Sequence, residues 1–449
     1  MRNIHRFIGV LLAAWFAWSV TSATAANTNS ISWQVAADKV SADVHSEALW
    51  PLLETIAHQT GWHIFVEPGI DRKADVKFKN LARSEALKKL LGDLNYAFVP
   101  QTNGPDSLYV FATVMKNATK PVAAVAKHVP NQLMIKVKPG TDIEALAKSL
   151  GAKVVGRNEA LGIYLLQFED AASTDTALAK LKDNPDVAVA DYNNLYDAPT
   201  APQQLDGAPV GSISLSLNPP GDSGKVIVGL VDTGVQPLGA DLDKFILNRI
   251  SVAGDGETTS TDLKHATSMA ISMLQGIASQ GDSTSVQILS VDVYGANETA
   301  STWDIVQGIR RVINDGANPI NLSLGSPTDS PILDQVIQDA EAKGIVFFAA
   351  AGNTPVNTPT YPAAINGVYA VAATQGGQLA SYSNYGSFIS LALPGSSIVS
   401  WGGSTYLVQG TSPATAYASG IAAGTKSATT MTWGQILRNM QQQFPMLGK

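Results

Sequence analysis

The stretch KVIVGLVDTG, residues 225–234, combines an apolar strand with a carboxylate at its end. A continuous apolar run is typical of a strand covered on both faces. Four later runs share this pattern: VQILSVDVYG, PINLSLG, IVFFAAAG and VYAVAAT. Segments with helical spacing lie between them, namely SMAISMLQGIAS, WDIVQGIRRVIND and ILDQVIQDAEAKG. This alternation predicts an α/β fold over residues 225–449, with a doubly wound, mainly parallel sheet.

Two small α+β modules are predicted before this sheet. Residues 32–114 contain two amphipathic helices, EALWPLLETIAHQTG and SEALKKLLGDL, between short apolar strands. Residues 128–197 follow a βαββαβ order, which is typical of a ferredoxin-like module. Residues 198–224 are rich in Pro, Gly and Ser, so we expect an exposed linker there.

The composition excludes several classes of protein. The chain has 449 residues, 45% of them hydrophobic, which is enough for two or three domains. A formal net charge of −7 without a basic cluster argues against nucleic acid as a partner. The absence of cysteine excludes disulfides, thiolate metal sites and a cysteine nucleophile.

The first 25 residues have the pattern of a secretory signal. Arg2 and Arg6 precede an apolar run over residues 7–20, and a small-residue cleavage site follows at residues 23–25. An uncleaved membrane anchor is the alternative, but the run is shorter than the roughly 20 residues that a span needs. We therefore expect export to the periplasm or the extracellular space.

A serine lies ahead of an alanine-rich helical run in LVQGTSPATAYASG, residues 407–420. Ser412 has the position of an N-cap, with Pro413 at the first helical position. As a nucleophile, it would need a base, a group that orients the base, and donors for an oxyanion. The chain has six histidines: His5, His45, His58, His63, His128 and His265. Only His265 lies in the α/β region, so it is the candidate base if Ser412 is activated within its own domain.

Two strand ends supply the remaining candidates. Asp232 ends the strand VIVGLVD, at the sheet edge where α/β proteins form their sites, and would bond to the far ring nitrogen of His265. Asn353 follows the strand IVFFAAAG, and its amide would donate to an oxyanion together with the N–H of Ser412. Taken singly, each is also explained as an ordinary turn residue. Their joint occurrence favours the catalytic interpretation.

Together these motifs resemble those of the subtilisin-like serine peptidases, the subtilase or S8 family. The likeness rests on VDTG, HATSMA, INLSLG, AAAGN and GTSPATA, in the chain order Asp, His, Ser. It implies that Ser412 attacks a peptide carbonyl, His265 transfers the proton, Asp232 orients His265, and Asn353 holds the oxyanion. The resemblance also implies a polypeptide substrate whose pocket is lined by Ser323, Leu324, Gly325, Ala350, Ala351 and Gly352.

Both preceding modules carry a resemblance of their own. Residues 128–197 resemble the inhibitory propeptide of the family, which implies an intramolecular inhibitor that is cleaved off within residues 196–224. Residues 32–114 are similar to the short N-terminal domain of secretins and TonB-dependent receptors, through LLETIAHQTGWHIFVE and SEALKKLLGDLNYAF. That likeness implies an envelope protein as partner, and a simple spacer is the alternative.

Several positions depart from the family pattern. Ala266 follows His265 where a glycine is usual, Pro413 replaces a methionine, and Ala416 replaces a proline. We expect the extra methyl beside His265 to threaten the position of the imidazole, because about 1 Å of misplacement costs roughly a hundredfold in rate. A pseudopeptidase that binds peptides without cutting them is therefore the second hypothesis. An esterase of the α/β-hydrolase kind is disfavoured, since neither its Gly-x-Ser-x-Gly motif nor its residue order is present.

No cofactor is required by these motifs, although calcium is a candidate. Acidic residues cluster after Asp232, at Asp241, Asp243, Asp255, Glu257 and Asp262. Such side chains suit a hard cation, but they show no fixed ligand spacing. A solvated acidic surface explains them equally well.

Overall fold

A computed structural model of the chain describes residues 30–34, 39–100, 106–122, 128–206, 213–218, 225–254 and 262–446. The signal predicted over residues 1–25 lies outside these ranges. Within them, no helix is both long enough and apolar enough to cross a membrane.

The N-terminal region forms two small sheets that belong to separate compact units. Its elements are β1 Ser30–Gln34, β2 Lys39–Ala48, α1 Leu49–Thr60, β3 His63–Val66, β4 Lys73–Ala82, α2 Arg83–Leu91, β5 Asn95–Val99, β6 Ser107–Phe111, a 3₁₀ turn Met115–Asn117 and β7 Lys120–Pro121. One unit contains the antiparallel sheet β1-β2-β4 with α2 against it. The sheet β5-β6-β3-β7 belongs to the second unit, which includes everything from residue 94 onward.

The next module has the predicted βαββαβ order. Its elements are β8 His128–Val137, α3 Ile143–Leu150, β9 Lys153–Asn158, β10 Ile163–Gln167, α4 Ala171–Leu181 and β11 Val187–Asp197. The strands pair antiparallel in the order β11-β8-β10-β9. Alternate residues of β8 and β10, such as Leu133, Ile135 and Leu166, face the helices and are fully buried with Ala147 and Leu181.

A large α/β domain follows. Its elements are β12 Gln203–Leu205, β13 Ser216–Leu217, β14 Val226–Asp232, α5 Ala240–Asp243, β15 Ile246–Ser251, α6 His265–Ala278, β16 Ser283–Thr284, β17 Val286–Asp292, β18 Thr299–Ser301, α7 Thr302–Asn314, β19 Ile320–Leu322, α8 Pro331–Glu341, β20 Phe347–Ala350, β21 Tyr369–Gln375, β22 Gln378–Leu379, β23 Leu391–Pro394, β24 Ser396–Trp401, β25 Ser404–Gln409, α9 Thr411–Ala428 and α10 Trp433–Gln443. The predicted strands and helices of this region are all present.

The central sheet is doubly wound, as predicted. Its order is β15-β17-β14-β19-β20-β21-β22, with β23 beside β21, and its pairs are parallel except at β22. Neighbouring residues of β14 show how both faces are covered. Val231 packs in the cluster with α7 and α8, whereas Leu230 packs in the cluster with α6. This two-sided burial explains why the strands are continuous apolar runs.

Helices α6 and α9 cross in backbone contact on one side of the sheet. A Cβ placed on Gly420 would lie 2.1 Å from the carbonyl oxygen of Met273, and one on Gly276 would lie 2.4 Å from that of Tyr417. Glycine is therefore required at both positions. Met273 lies eight residues after His265, and Gly420 lies eight residues after Ser412. The crossing thus holds the starts of the two helices at the same end of the sheet.

The segment predicted as an exposed linker is partly paired. Within residues 198–224, β12 pairs antiparallel with β25 and β13 pairs parallel with β16. Leu215 is only 8% exposed and joins the cluster around α6. The composition was misleading here because short edge strands obtain their partners from elsewhere in the chain.

Candidate active site

Asp232 and His265 form a buried pair at the carboxyl edge of the sheet. The ring nitrogen Nδ1 of His265 lies 2.9 Å from Oδ1 and 3.0 Å from Oδ2 of Asp232. Asp232 is fully buried and His265 is 7% exposed. A carboxylate at Nδ1 holds the imidazole tautomer that carries its hydrogen there, which leaves Nε2 as the acceptor.

The loop after β14 fixes both members of this pair. The backbone N–H of Thr233 donates to Oδ1 of Asp232 at 2.6 Å, while its hydroxyl oxygen accepts from the N–H of Ala266 at 3.0 Å. Further along, the side chain of Gln236 accepts from the N–H of Lys264 at 2.8 Å and from the hydroxyl of Thr267 at 3.1 Å. The first turn of α6, which begins at His265, is thus tied to the strand that ends in Asp232. The sequence motifs did not reveal Thr233 or Gln236 as site residues.

Ser412 lies in the first turn of α9. It is next to the end of β19, the strand that pairs with β14. Its Oγ donates to the carbonyl oxygen of Ser323 at 3.4 Å, and the Ser323 hydroxyl donates to the carbonyl oxygen of Ser412 at 3.2 Å. Among the hydrogen bonds of the described residues, none joins Ser412 Oγ to the ring of His265. Such contacts are often loose without substrate and tighten in the complex.

Ser412 is not the cap of its helix, contrary to the expectation from sequence. Helix α9 begins at Thr411, and the cap position belongs to Gly410, which has φ 145°. Ser412 therefore has helical geometry, and its N–H is one of the first-turn groups that have no acceptor within the helix. The helix starts earlier because Asn353 caps it from another loop.

The amide orientation of Asn353 follows from that cap. The N–H and hydroxyl of Thr411 lie 2.8 and 3.0 Å from Oδ1 of Asn353. A backbone N–H can only donate, so the amide oxygen faces Thr411. The NH₂ group consequently points away from this contact, beside Gly410, where an added Cβ would lie 3.0 Å from Nδ2. Asn353 is exposed, and its donor is available at the mouth of α9.

Comparison with known proteins identifies the family of the chain. Residues 223–442 match the sequence model of the subtilase family, and residues 115–193 match that of the fervidolysin N-terminal prodomain. Subtilisin Savinase of Lederbergia lenta is 33% identical over 221 residues, which cover 48% of this chain and 81% of that protein. The chain belongs to the subtilase family.

Other relatives of this subtilase share different parts of it. The thermophilic serine proteinase of Bacillus sp. (strain AK1) is 30% identical over 316 residues, covering 66% of this chain and 78% of that protein. M-protease of Shouchella clausii (strain KSM-K16) is 33% identical over 221 residues, and the chain spans 57% of its length. Fervidolysin of Fervidobacterium pennivorans shares the fold, with a TM-score of 0.53 at 17% identity over 70% of this chain and 57% of that chain.

The six residues expected to line a substrate pocket lie at the carboxyl ends of the neighbouring strands β19 and β20 and in the loops that follow them. Ser323 is bonded to Ser412, and the N–H of Gly352 donates to the hydroxyl of Thr411 at 3.1 Å. Of the other four, Leu324, Ala350 and Ala351 are buried, whereas Gly325 is exposed.

A residue that sequence reasoning missed lies between these two loops. A Cβ added to Gly325 would lie 3.0 Å from Cγ2 of Thr360, and one added to Gly352 would lie 3.2 Å from its Oγ1. The Thr360 hydroxyl also accepts from Nδ2 of Asn384 at 2.9 Å, which fixes the side chain. Thr360 therefore occupies space next to both predicted walls and narrows the gap between them.

The methyl of Ala266 does not displace the imidazole. Ala266 is fully buried and belongs to the apolar cluster of α6, together with Val235, Leu263 and Met269. The distances from His265 to Asp232 remain those of hydrogen bonds. The family's usual glycine is thus replaced without loss of the Asp–His contact.

The βαββαβ module lies against α7 and α8 of the subtilase domain. The hydroxyl of Ser330 donates to Oδ2 of Asp191 at 2.8 Å, and Nζ of Lys136 lies 2.8 Å from Oδ2 of Asp339. The end of its last strand, β11, pairs antiparallel with β18. Tyr196 on β11 is 1% exposed and packs in the main apolar cluster of the domain.

Among the described residues, the acidic side chains considered for calcium form no metal-binding group. Asp243 accepts from the N–H of Leu238 at 3.0 Å and pairs with Arg249. Asp255 and Glu257 lie outside the described residues. In the described ranges, no group of three His, Cys, Asp or Glu residues is placed to hold a metal ion.

Proposed function

We propose that the chain is an exported serine endopeptidase, made as an inhibited precursor, that hydrolyses peptide bonds through an acyl-enzyme. The observation that carries this proposal is the buried Asp232–His265 pair at the same sheet edge as Ser412 and Asn353. The relatives quoted above are named M-protease, Subtilisin Savinase and thermophilic serine proteinase. The catalytic roles are assigned here to the four matching residues of this chain.

Proton transfer follows from the geometry of the pair. Ser412 Oγ turns from the Ser323 carbonyl toward Nε2 of His265, which accepts the hydroxyl proton as Oγ attacks the substrate carbonyl carbon. Asp232 stabilises the imidazolium that forms. His265 then gives the proton to the leaving nitrogen. A water molecule next attacks the acyl-enzyme ester with His265 as base, which releases the product carboxylic acid and restores Ser412.

Oxyanion stabilisation uses two groups at the mouth of α9. Among the hydrogen bonds of the described residues, neither the N–H of Ser412 nor the NH₂ group of Asn353 donates to another group, and the positive end of the helix dipole lies beside both. Substrate backbone lies along β18, as β11 does in the precursor. The narrow gap beside Thr360 favours a small, uncharged side chain before the scissile bond.

The βαββαβ module acts as the inhibitor. Its last strand occupies the β18 edge, so an extended substrate cannot pair there until the module leaves. Export follows from the signal predicted at the N terminus, with the periplasm or the exterior as destination. The module at residues 32–114 then serves to dock an envelope protein, and a spacer remains the alternative.

A pseudopeptidase is the second candidate, because Ser412 Oγ is bonded to Ser323 rather than to His265. In that case the cleft binds peptides without cutting them. An assay for hydrolysis of casein and of an apolar peptide ester, with Ser412→Ala as the control, distinguishes the peptidase from the pseudopeptidase. Hydrolysis by the wild type alone supports the peptidase. Peptide binding without hydrolysis by either protein would overturn it.

A further inference from the structure

The chain between the inhibitory module and the subtilase domain is held at both ends. On one side, β11 pairs Leu195 with Ser301 and Asp197 with Thr299, and the N–H of Ala198 donates to the carbonyl oxygen of Glu298 at 2.7 Å. The backbone therefore follows the proposed substrate edge as far as Ala198.

On the other side, the chain is paired again from Gln203. Strand β12 runs antiparallel to β25, with Gln203 opposite Leu407 and Leu205 opposite Thr405. The side-chain amide of Gln204 also donates to the hydroxyl of Ser404 at 3.2 Å. Strand β25 leads directly through Gly410 into the first turn of α9.

The antiparallel register directs the intervening residues toward the nucleophile. The observed pairs end at Gln203 and Leu407; continued by three residues, the same register places Thr200 level with Gly410, two residues before Ser412. Five residue steps span at most about 18 Å, so the segment between Ala198 and Gln203 stays close to its two paired ends. This short segment is therefore presented to the catalytic edge.

The sequence of this segment, Ala-Pro-Thr-Ala-Pro-Gln over residues 198–203, leaves one suitable bond. A proline before the scissile bond has no N–H for antiparallel pairing, and a proline after it fixes φ and places a ring on the leaving nitrogen. Only the Thr200–Ala201 bond has proline on neither side. Thr200 and Ala201 are exposed, and Thr200 is small enough for the gap beside Thr360.

We propose that Thr200–Ala201 is the bond at which the precursor processes itself, an inference that rests on the proposed function. Ser412 Oγ bonds to the carbonyl carbon of Thr200 as the bond to the Ala201 nitrogen breaks, and His265 carries the serine proton to that nitrogen. Water then hydrolyses the ester and leaves a Thr200 carboxylate. The mature chain begins at Ala201 and keeps β12 on β25, while the module ending at Thr200 is released from β18.

The test is N-terminal sequencing and intact mass of the purified full-length precursor during incubation. We expect a new N terminus at Ala201 in the wild type and an intact chain in Ser412→Ala. Peptidase activity together with a cut at another bond would overturn this site and leave the proposed function standing. An intact wild type without any peptidase activity would overturn both.

Two substitutions sharpen the test at the bond itself. Ala201→Pro is expected to slow processing at this position at least about a hundredfold, whereas Thr200→Ser is expected to be processed at the wild-type rate. A thermal melt equal to that of Ser412→Ala shows that the proline variant is folded. Processing of a folded Ala201→Pro at the wild-type rate would contradict the assignment.

Discussion

Asp232 and Asp334 are carboxylates with opposite surroundings. Asp232 is fully buried, yet its oxygens face the ring nitrogen of His265 and the N–H of Thr233. Asp334, on α8, has an oxygen without a hydrogen-bond partner in the described chain, and it faces the carboxyl groups of Asp329 and Asp191. A carboxylate surrounded by hydrogen-bond donors stays ionised and stabilises a positively charged imidazole. Carboxyl groups that face one another instead oppose each other's ionisation. We propose that the first region serves catalysis, and that charge on the second weakens the contact between the βαββαβ module and the subtilase domain.

Removing the base should have the largest effect on the catalytic region. His265→Ala deletes the ring that faces Asp232 and that we propose as the proton acceptor, so we expect kcat to fall on the order of 10⁶-fold, as when a triad member of the related enzyme subtilisin is removed. Hydrolysis of an apolar peptide ester measures it. The exposed residue His45 provides the matched control, and His45→Ala should keep wild-type activity. Loss within tenfold for His265→Ala would contradict the assignment of the base.

Changing only the tautomer of His265 should reduce kcat somewhat less than removing its ring. In Asp232→Asn the amide NH₂ would face Nδ1, which places the ring hydrogen on Nε2 and blocks proton acceptance, so kcat should fall about 10⁴-fold. Asp292 offers a matched control because it pairs with Asp232 at the end of the neighbouring strand. Burial raises the pKa of Asp292, and the N–H groups of Tyr294 and Gly295 donate to it. Asp292→Asn should therefore change kcat only a few-fold. Equal losses of kcat in Asp232→Asn and Asp292→Asn would contradict a special role of Asp232.

The oxyanion donor should contribute a smaller part of the rate. Asn353→Asp keeps an acceptor for the N–H of Thr411 but replaces the donor with a second oxygen, so kcat should fall roughly 10²- to 10³-fold. The Asp variant retains the helix cap, and its melting temperature should equal that of the wild type. Asn353→Ala removes both donor and cap, which costs about 1 kcal/mol of stability in addition. A wild-type kcat in Asn353→Asp would exclude Asn353 from the oxyanion site.

The smallest effect concerns the inhibitor contact and its dependence on pH. Burial, followed by the negative charge of Asp329, raises the pKa of Asp334 from 3.8 to about 6. Burial likewise raises the pKa of Asp191 on β11. The protonated acids therefore stabilise the precursor fully below pH about 4, and this contribution is lost as the pH rises through 6. We expect the inhibitor to be held more weakly at pH 8 than at pH 5.

The pH effect is measured by thermal melts of the inactive Ser412→Ala precursor. Its melting temperature should fall by about 2 °C more between pH 5 and 8 than that of the same precursor with Asp334→Asn, since Asp334 is partly exposed and its charge is screened. Asp339→Asn is the control. Burial opposes ionisation of Asp339, but the hydrogen bonds from Lys136 and Gln335 and the charges of Lys136 and Lys343 together outweigh it and lower its pKa, so it is charged throughout this range. If the melting temperature of the Asp334→Asn precursor depended on pH as strongly as that of the parent precursor, Asp334 would not cause the pH dependence.

Much of this subtilase was predictable from local pattern. The strand that ends in Asp232 is marked by its unbroken apolar run, and His265 was identified by elimination among six histidines. Both inferences depend on residues adjacent in the sequence or on counting. The βαββαβ order was likewise legible from periodicity.

The features that sequence reasoning missed depend on long-range contacts. The start of α9 is set by Asn353, 58 residues before Thr411, so local capping preferences at Ser412 gave the wrong position. The pairing of β12 with β25 joins segments about 200 residues apart, and its residues have the composition of a linker. Thr360 narrows the gap between two loops that only the sheet brings together.

The central claim is that Ser412 is a nucleophile activated by His265. The most direct test is reaction of the processed protein with an aryl sulfonyl fluoride, followed by intact mass and peptide mapping. The account predicts one sulfonyl group per chain, on Ser412, with no labelling of Ser412→Ala and at least about a thousandfold slower labelling of His265→Ala. Labelling of Ser412 at the same rate with and without His265, or labelling of a different serine, would contradict it.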